Sequence, residues 1–192
     1  SRVVEDDGDW LGYVGPETDD PEALALNLHG AVDWSGAAFA RAREIGPDAV
    51  IEAIRDSGLQ GRGGAGFPAH IKWSGTRGQA EQTRYVVLNA DEGEPGTFKD
   101  REVMLRRPDR VLEGLAIAAH AVGATEVYLY LRGEFEIPWG RIKEAIARVT
   151  EAGLFGEIRF HMHAGNGGPD GPVKLNHGNT QHIGLLLINI QE

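Results

Sequence analysis

The sequence predicts an α/β fold, a mainly parallel sheet with helices on both faces. Short apolar runs of strand length alternate with longer segments that carry apolar residues at helical spacing. Elements that alternate in this way form βαβ units, which build a parallel sheet. The length of 192 residues suits one substantial domain. A composition with 41% hydrophobic and 25% charged residues is that of a folded globule rather than of a disordered chain.

The first helices are predicted by their start and stop signals. Asp19 or Asp20, followed by Pro21, favours the start of a short helix, because proline fits the first turn and acidic side chains suit the helix dipole. A stronger helix begins around Pro47 and ends near Gly58, with its apolar residues on one side.

The remaining elements alternate between strand and helix. Residues 85–88 form a β-rich apolar run that is typical of a strand covered on both faces. The elements predicted after it are a helix over 108–123, a strand over 127–131, a helix over 138–150 and a strand over 158–163. The apolar run 183–190 is also of strand length. It is much shorter than the roughly 18 residues that a membrane span needs, so no direct membrane insertion is expected.

Three regions follow, with boundaries at 1–45, 46–163 and 164–192: an acidic N-terminal extension with short helices, an α/β domain, and a C-terminal loop and strand.

The absence of cysteine excludes disulfides, thiolate nucleophiles and an iron–sulfur cluster ligated by this chain. A net charge of −10 argues against nucleic-acid binding, which needs a basic face. The acidic start does not resemble a signal peptide, so we expect a cytoplasmic protein, at most peripheral to a membrane complex.

A glycine-rich loop over 61–66 is the first candidate binding element. Its spacing fits G-x-G-x-x-G, but a predicted helix rather than a strand precedes it, so the dinucleotide fingerprint fails on context. Glycines can still turn several N–H groups toward one anion and let a flat ligand approach the backbone. Arg62 and Lys72 add positive charge nearby. The alternative is a surface loop between two elements.

An acidic cluster follows the strand over 85–88 and is the second candidate. Asp91, Glu92 and Glu94 repel one another, a cost that a plain turn has no reason to accept. Ligands of parallel sheets bind at the carboxyl ends of strands. Asn89 and Asp91 can bond hydroxyls or ring N–H groups of a ligand, while Glu92 and Glu94 can orient a second one. The alternative is a solvated acidic loop, favoured by the dipole of a helix around Asp100.

His161 and His163 share one face of a predicted strand, as alternate residues do. A metal site needs a third ligand in a defined geometry, and the spacing supplies none. We therefore expect solvent-facing imidazoles and no metal site. The sequence shows no hydrolase pattern either, and we assign no catalytic residue.

Several segments, taken in order, resemble the NADH-binding flavin subunit of respiratory complex I. The same module occurs in the diaphorase subunits of NAD-linked hydrogenases and formate dehydrogenases. The segments are 57–68, 72–74, 89–101, 128–134 and 153–156. The resemblance covers about 46–163 and implies a Rossmann-like domain that binds FMN and NADH.

The resemblance also implies roles for individual residues. The implied FMN contacts are Gly61, Arg62, Gly63, Gly64, Lys72, Asn89, Asp91 and Glu92. The implied NADH contacts are Phe67, Glu92 and Glu94. The implied reaction is hydride transfer from NADH to FMN, followed by electron transfer to an iron–sulfur cluster on a partner subunit, which agrees with the lack of cysteine here.

The chain also departs from this family. An aromatic residue normally follows the Lys-Trp-Ser segment, where this chain has Gly75. The region after 163 diverges and lacks the segments that complete the flavin and NADH sites. The alternative function is therefore a structural or docking relative that has lost NADH oxidation. The retained acidic cluster favours the enzyme.

Overall fold

The computed structural model describes Leu28, residues 31–61, 66–80 and 83–165, and the backbone of 184–189. The chain forms two compact units, Ser1–Gly30 and Ala31–Glu192. The helix start expected at Asp19 to Pro21 lies outside the described residues, as does most of the predicted C-terminal loop.

A four-stranded sheet forms the centre of the second unit. Its strands are β1 (Arg84–Ala90), β2 (Glu126–Leu131), β3 (Arg159–Ala164) and β4 (Gly184–Asn189). They lie in the order β3-β2-β1-β4, and every pair is parallel. The predicted class, α/β with a mainly parallel sheet, is confirmed.

Six helices accompany the sheet in the described residues. They are α1 (Ala37–Ile45), α2 (Pro47–Asp56), α3 (Ala69–Arg77), α4 (Lys99–Arg106), α5 (Pro108–Val122) and α6 (Glu136–Glu151). Helices α2 and α5 begin with proline, as predicted from the preference of proline for the first turn. Helix α6 begins slightly before the predicted Pro138, and α3 had no sequence signal strong enough to predict it.

Burial alternates along β1, which differs from the expectation of a strand covered on both faces. Val86, Leu88 and Ala90 are buried in one continuous core with the helices. Tyr85 and Asn89, on the other face, are only half-buried. Alternate residues of a strand point to opposite faces, so within the described residues the helical core covers one face more completely than the other.

Within the second unit, acidic side chains of α5 hold α1 and the residues before it. Asp109 accepts a hydrogen bond from the Asp33 N–H at 2.9 Å, and Glu113 accepts one from the Phe39 N–H at 3.0 Å. Burial would raise the pKa of Asp109, but hydrogen bonds from the Arg107 guanidinium and from backbone N–H groups outweigh it and lower that pKa. Helix α1 was not predicted individually, and its Phe39 and Ala42 belong to the core of the second unit.

Candidate functional site

The carboxyl ends of the parallel strands meet at one edge of the sheet. Asn89 near the end of β1 is in register with Tyr130 of β2 on one side and with Asn189 of β4 on the other. Along the chain, β1 connects toward β2 and β3, whereas β4 lies on its opposite side. Such a switch point opens a crevice at the carboxyl edge, the usual ligand position in this architecture.

The acidic loop over 91–98 begins at this crevice with two ordered turns. The Asn89 side-chain oxygen accepts a hydrogen bond from the Asp91 N–H at 3.2 Å. The Glu94 carbonyl accepts bonds from the Thr97 N–H at 3.2 Å and from the Thr97 hydroxyl at 2.6 Å. Gly96 has φ 83°, the left-handed conformation that the third position of a type II turn requires. Both Asp91 and Glu94 are exposed.

Glu92 differs from its two acidic neighbours because its side chain is buried, with only 3% exposed. Its carboxylate oxygens accept bonds from the N–H groups of Asp100 at 3.2 Å and Arg101 at 3.4 Å, in the first turn of α4. Lys99 Nζ lies 3.9 Å from Glu92 Oε1 and is also paired with Asp100. Glu92 therefore caps the helix. The alternative interpretation expected a solvated acidic loop favoured by the dipole of this helix; Glu92 lies at that helix start but is buried.

Arg132, directly after β2, connects the loop that follows β2 with the acidic loop that follows β1. Its Nη1 donates to the Glu92 carbonyl at 2.5 Å, and its backbone N–H donates to the Ala90 carbonyl at 3.2 Å. Its Nε donates to Glu134 Oε2 at 3.0 Å. No role for Arg132 was predicted from the sequence, although it lies in the resembling segment 128–134 and follows a strand end.

Gly165, directly after β3, lies close to side chains of the neighbouring strands. A Cβ built at this glycine would be 3.0 Å from the Tyr130 hydroxyl and 3.5 Å from Asp91 Oδ1. The hydroxyl, the carboxylate and bare backbone therefore surround one small space at the crevice. Neither Tyr130 nor Gly165 was selected from the sequence. The available signals were the position of both residues at strand ends and, for Tyr130, its place in the resembling segment 128–134.

The glycine-rich loop is closed at its base. The Gly61 N–H donates to the Phe67 carbonyl at 2.8 Å, and the Ala69 N–H donates to the Leu59 carbonyl at 2.9 Å. Gly66 has φ 59°. The predicted contacts Arg62, Gly63 and Gly64 lie outside the described residues. The described ends hold the loop at the start of α3.

A hydrogen bond to α5 locates the end of α3 relative to the sheet. Arg77 at the end of α3 donates to the Ala121 carbonyl at 3.2 Å, at the end of α5, and α5 leads directly into the start of β2. The end of α3 is therefore at the amino edge of the sheet. Phe67, just before α3, is 44% exposed, and Lys72 is half-buried in the first turn of α3.

The histidines of β3 are engaged on the half-buried face rather than facing solvent as expected. Tyr128 stacks on His161 at 4.8 Å and on His163 at 5.4 Å between ring centres. His161 Nε2 lies 2.7 Å from Glu126 Oε2, and Glu126 also pairs with Arg159. A hydrogen bond from Arg159 lowers the pKa of Glu126. Among the described residues, no group of three potential ligands could hold a metal ion.

A cavity of about 630 Å³ lies beside β3 and is lined by Thr150, Phe155 and Arg159 among others. These residues surround the start of β3, at the amino edge of the sheet. Asn89 and the acidic loop that follows β1 lie at the carboxyl edge instead. We therefore place the candidate site at the carboxyl edge.

The parallel sheet with its switch point defines a Rossmann-like α/β domain, and comparison with known proteins gives its family. A family model described as the Nuo51 FMN-binding domain matches residues 54–183. The chain belongs to this family. The resemblance inferred from the motifs is confirmed.

Curated relatives agree with this membership. The chain is 45% identical over 132 residues to a subunit of the NADH-quinone oxidoreductase of Rhizobium meliloti (strain 1021), covering 65% of this chain and 31% of the relative. It is 38% identical over 176 residues to an NADH-quinone oxidoreductase subunit of Rhodobacter capsulatus, covering 85% of this chain and 39% of the relative. The chain thus spans roughly a third of the length of these relatives.

A solved structure shows the same fold. The crystal structure of an NAD+-reducing NiFe-hydrogenase in the H2-reduced state superposes with a TM-score of 0.69 and 32% identity. The match covers 84% of this chain and 32% of the hydrogenase chain. Within the described residues, the chain has no helix long and apolar enough to cross a membrane.

Proposed function

We propose that this chain is an FMN-binding module that oxidises NADH and passes electrons to an iron–sulfur cluster on a partner subunit. The observation that carries the proposal is the acidic loop, which begins at the switch point of the parallel sheet and is held there by hydrogen bonds to β2 and α4. Family membership and relatives named as subunits of NADH-quinone oxidoreductase support the same chemistry.

The residues at the crevice fit a planar phosphorylated cofactor. A side chain at Gly165 would fill the space beside Tyr130 and Asp91, so the bare backbone leaves room there. Glycines at both described ends of the loop before α3 allow close approach of a ligand to the main chain. The loop also precedes the amino end of a helix, where N–H groups and the helix dipole favour a phosphate.

Each predicted contact then has a role. Arg62, Gly63 and Gly64 would hold the phosphate with N–H groups and one guanidinium, and Lys72 would add a second positive charge. Gly61, whose N–H is bonded to the Phe67 carbonyl, would contribute the space left by its missing side chain. Asn89 and Asp91 hydrogen-bond the polar groups of the cofactor at the end of β1. Phe67 would supply an exposed apolar surface for NADH, and Glu94 an exposed carboxylate.

Glu92 contributes to both ligand sites through the loop it belongs to. Its carboxylate already accepts two backbone N–H groups, and its carbonyl accepts Arg132. Because this carboxylate is only 3% exposed, Glu92 would act on the ligands through the position of the loop's main chain. Bound FMN supplies the hydride-accepting and one-electron chemistry, while the protein supplies position and electrostatics.

Electron transfer requires a partner. The chain has no cysteine, so an iron–sulfur cluster must be ligated by another chain or another part of the complex. The hydrogenase and NADH-quinone oxidoreductase relatives belong, by their names, to redox enzymes. We place the module at the cytoplasmic side of such a complex.

The test is the visible spectrum of the purified chain mixed with FMN, before and after addition of NADH without air. Bound FMN that NADH bleaches is the expected result. Asp91→Asn should weaken FMN retention, whereas Asp48→Asn, which makes the same charge change on α2, should not. Bound FMN that NADH does not bleach would indicate the non-catalytic relative. A chain that takes up no FMN would contradict the proposal.

A further inference from the structure

Arg132 makes three hydrogen bonds that join separate parts of the carboxyl edge. The backbone N–H holds the end of β1 through Ala90, Nη1 holds the acidic loop through the Glu92 carbonyl, and Nε pairs with Glu134. We infer that Arg132 is the positioning residue that fixes the acidic loop relative to the sheet. This inference rests on the proposed function only for the identity of what the loop binds.

A guanidinium suits this task for geometric reasons. It is planar and presents donors in a fixed fork, so Nη1 and Nε serve acceptors from two different loops at once. A lysine at this position could bond the Glu92 carbonyl with one ammonium but could not reproduce the fork.

The position of the bonded carbonyl explains why one side chain can order the whole loop. Glu92 lies between Asp91 and Glu94, the two exposed carboxylates of the candidate site. Arg132 fixes the main chain of Glu92, and the Glu92 carboxylate caps α4. The loop is thereby held from β2 on one side and from α4 on the other. Arg132 acts through Glu92 and needs no contact with a ligand.

The arginine side chain is 33% exposed, so its removal should disturb the loop more than the core. A positioning role and a purely structural role then differ in what they change. Loss of positioning should alter backbone protection of the loop and ligand affinity while leaving global unfolding nearly unchanged. Loss of a purely structural contact should lower the backbone protection of the loop, the ligand affinity and the free energy of unfolding together.

The experiment uses the full chain with Arg132→Met, Arg132→Lys and the control Arg159→Met. Arg159 is likewise an arginine paired with a glutamate, Glu126, but at the amino edge of the sheet. Amide hydrogen exchange is measured for peptides that cover 91–98, and FMN affinity is measured by titration. Arg132→Met should accelerate exchange and weaken FMN binding, each by about tenfold, as expected for loss of a charged hydrogen bond. Arg132→Lys should restore part of both, and Arg159→Met should change neither.

The two readouts separate this inference from the proposed function. If the unaltered chain binds no FMN, the proposed function fails, and exchange over 91–98 still decides the role of Arg132. Unchanged exchange in Arg132→Met would overturn the inference. So would a general rise in exchange across the sheet, or a lysine variant that behaves like the methionine variant in both measurements.

Discussion

Replacement of Glu92 by glutamine tests the division of labour within the acidic cluster. The carboxylate accepts the N–H groups of Asp100 and Arg101, at 3.2 and 3.4 Å, in the first turn of α4. Glutamine keeps one acceptor oxygen but turns the other into an NH2 donor that opposes an N–H group. The variant also loses a negative charge near the positive end of the helix dipole. Together these losses should cost about 1–2 kcal/mol.

Urea and thermal unfolding monitored by circular dichroism measure this cost. For a chain of this size, about 1–2 kcal/mol corresponds to a drop in Tm of about 2–8 °C. Glu94→Gln is the matched control, because it makes the same chemical change two residues away on an exposed side chain. It should shift the free energy of unfolding by less than about 0.5 kcal/mol. Equal shifts in the two variants would refute the assignment of Glu92 as the buried cap.

Three further predictions concern the site and the core. Gly165→Ala should weaken FMN binding severalfold in a titration, because the new Cβ would be 3.0 Å from the Tyr130 hydroxyl. Gly140→Ala on α6 is the control: a Cβ there meets nothing within 4 Å, so FMN affinity should not change. Glu94→Gln should tighten NADH binding in a low-salt titration, because the exposed Glu94 carboxylate repels the nucleotide phosphates. The difference in NADH affinity between the two proteins should disappear in high salt, which screens this repulsion. An unchanged NADH affinity at low salt would count against the prediction. Burial lowers the pKa of His120, so the unfolded chain takes up a proton first and stability should fall as pH drops below about 6.5. Urea unfolding at several pH values should show that the free energy of unfolding falls less with decreasing pH in His120→Gln than in the unaltered chain. An identical pH dependence in the two proteins would contradict the prediction.

Several elements could be predicted because their signals are local. Proline at the start of α2 and α5 and the left-handed glycine after α5 fix helix ends through the backbone conformation of single residues. The strands were visible as short apolar runs. Helix α3 was missed because it begins after the glycine-rich loop and carries only a few buried residues, among them Trp73. Its position depends on packing against α2, α5 and β4, which no local pattern encodes.

The contents of the candidate site show the same limit. The sequence selected the acidic cluster because carboxylates at a strand end are costly and such ends hold ligands. It could not tell that Glu92 is buried while Asp91 and Glu94 are exposed. Nor could it select Gly165, whose importance comes from the approach of Tyr130 on the neighbouring strand.

The sequence by itself determined the class of fold, the parallel direction of the strands that follows from alternating elements, and the presence of one loop rich in glycine and one rich in acidic residues. Tertiary structure alone decided how the acidic loop is held and which of its carboxylates remain available. The reason is that the decisive contacts join residues far apart in the chain: Arg132 reaches the carbonyl of Glu92 across 40 positions. Local propensities act over a few residues, whereas burial and hydrogen bonding across such distances exist only once the strands have paired.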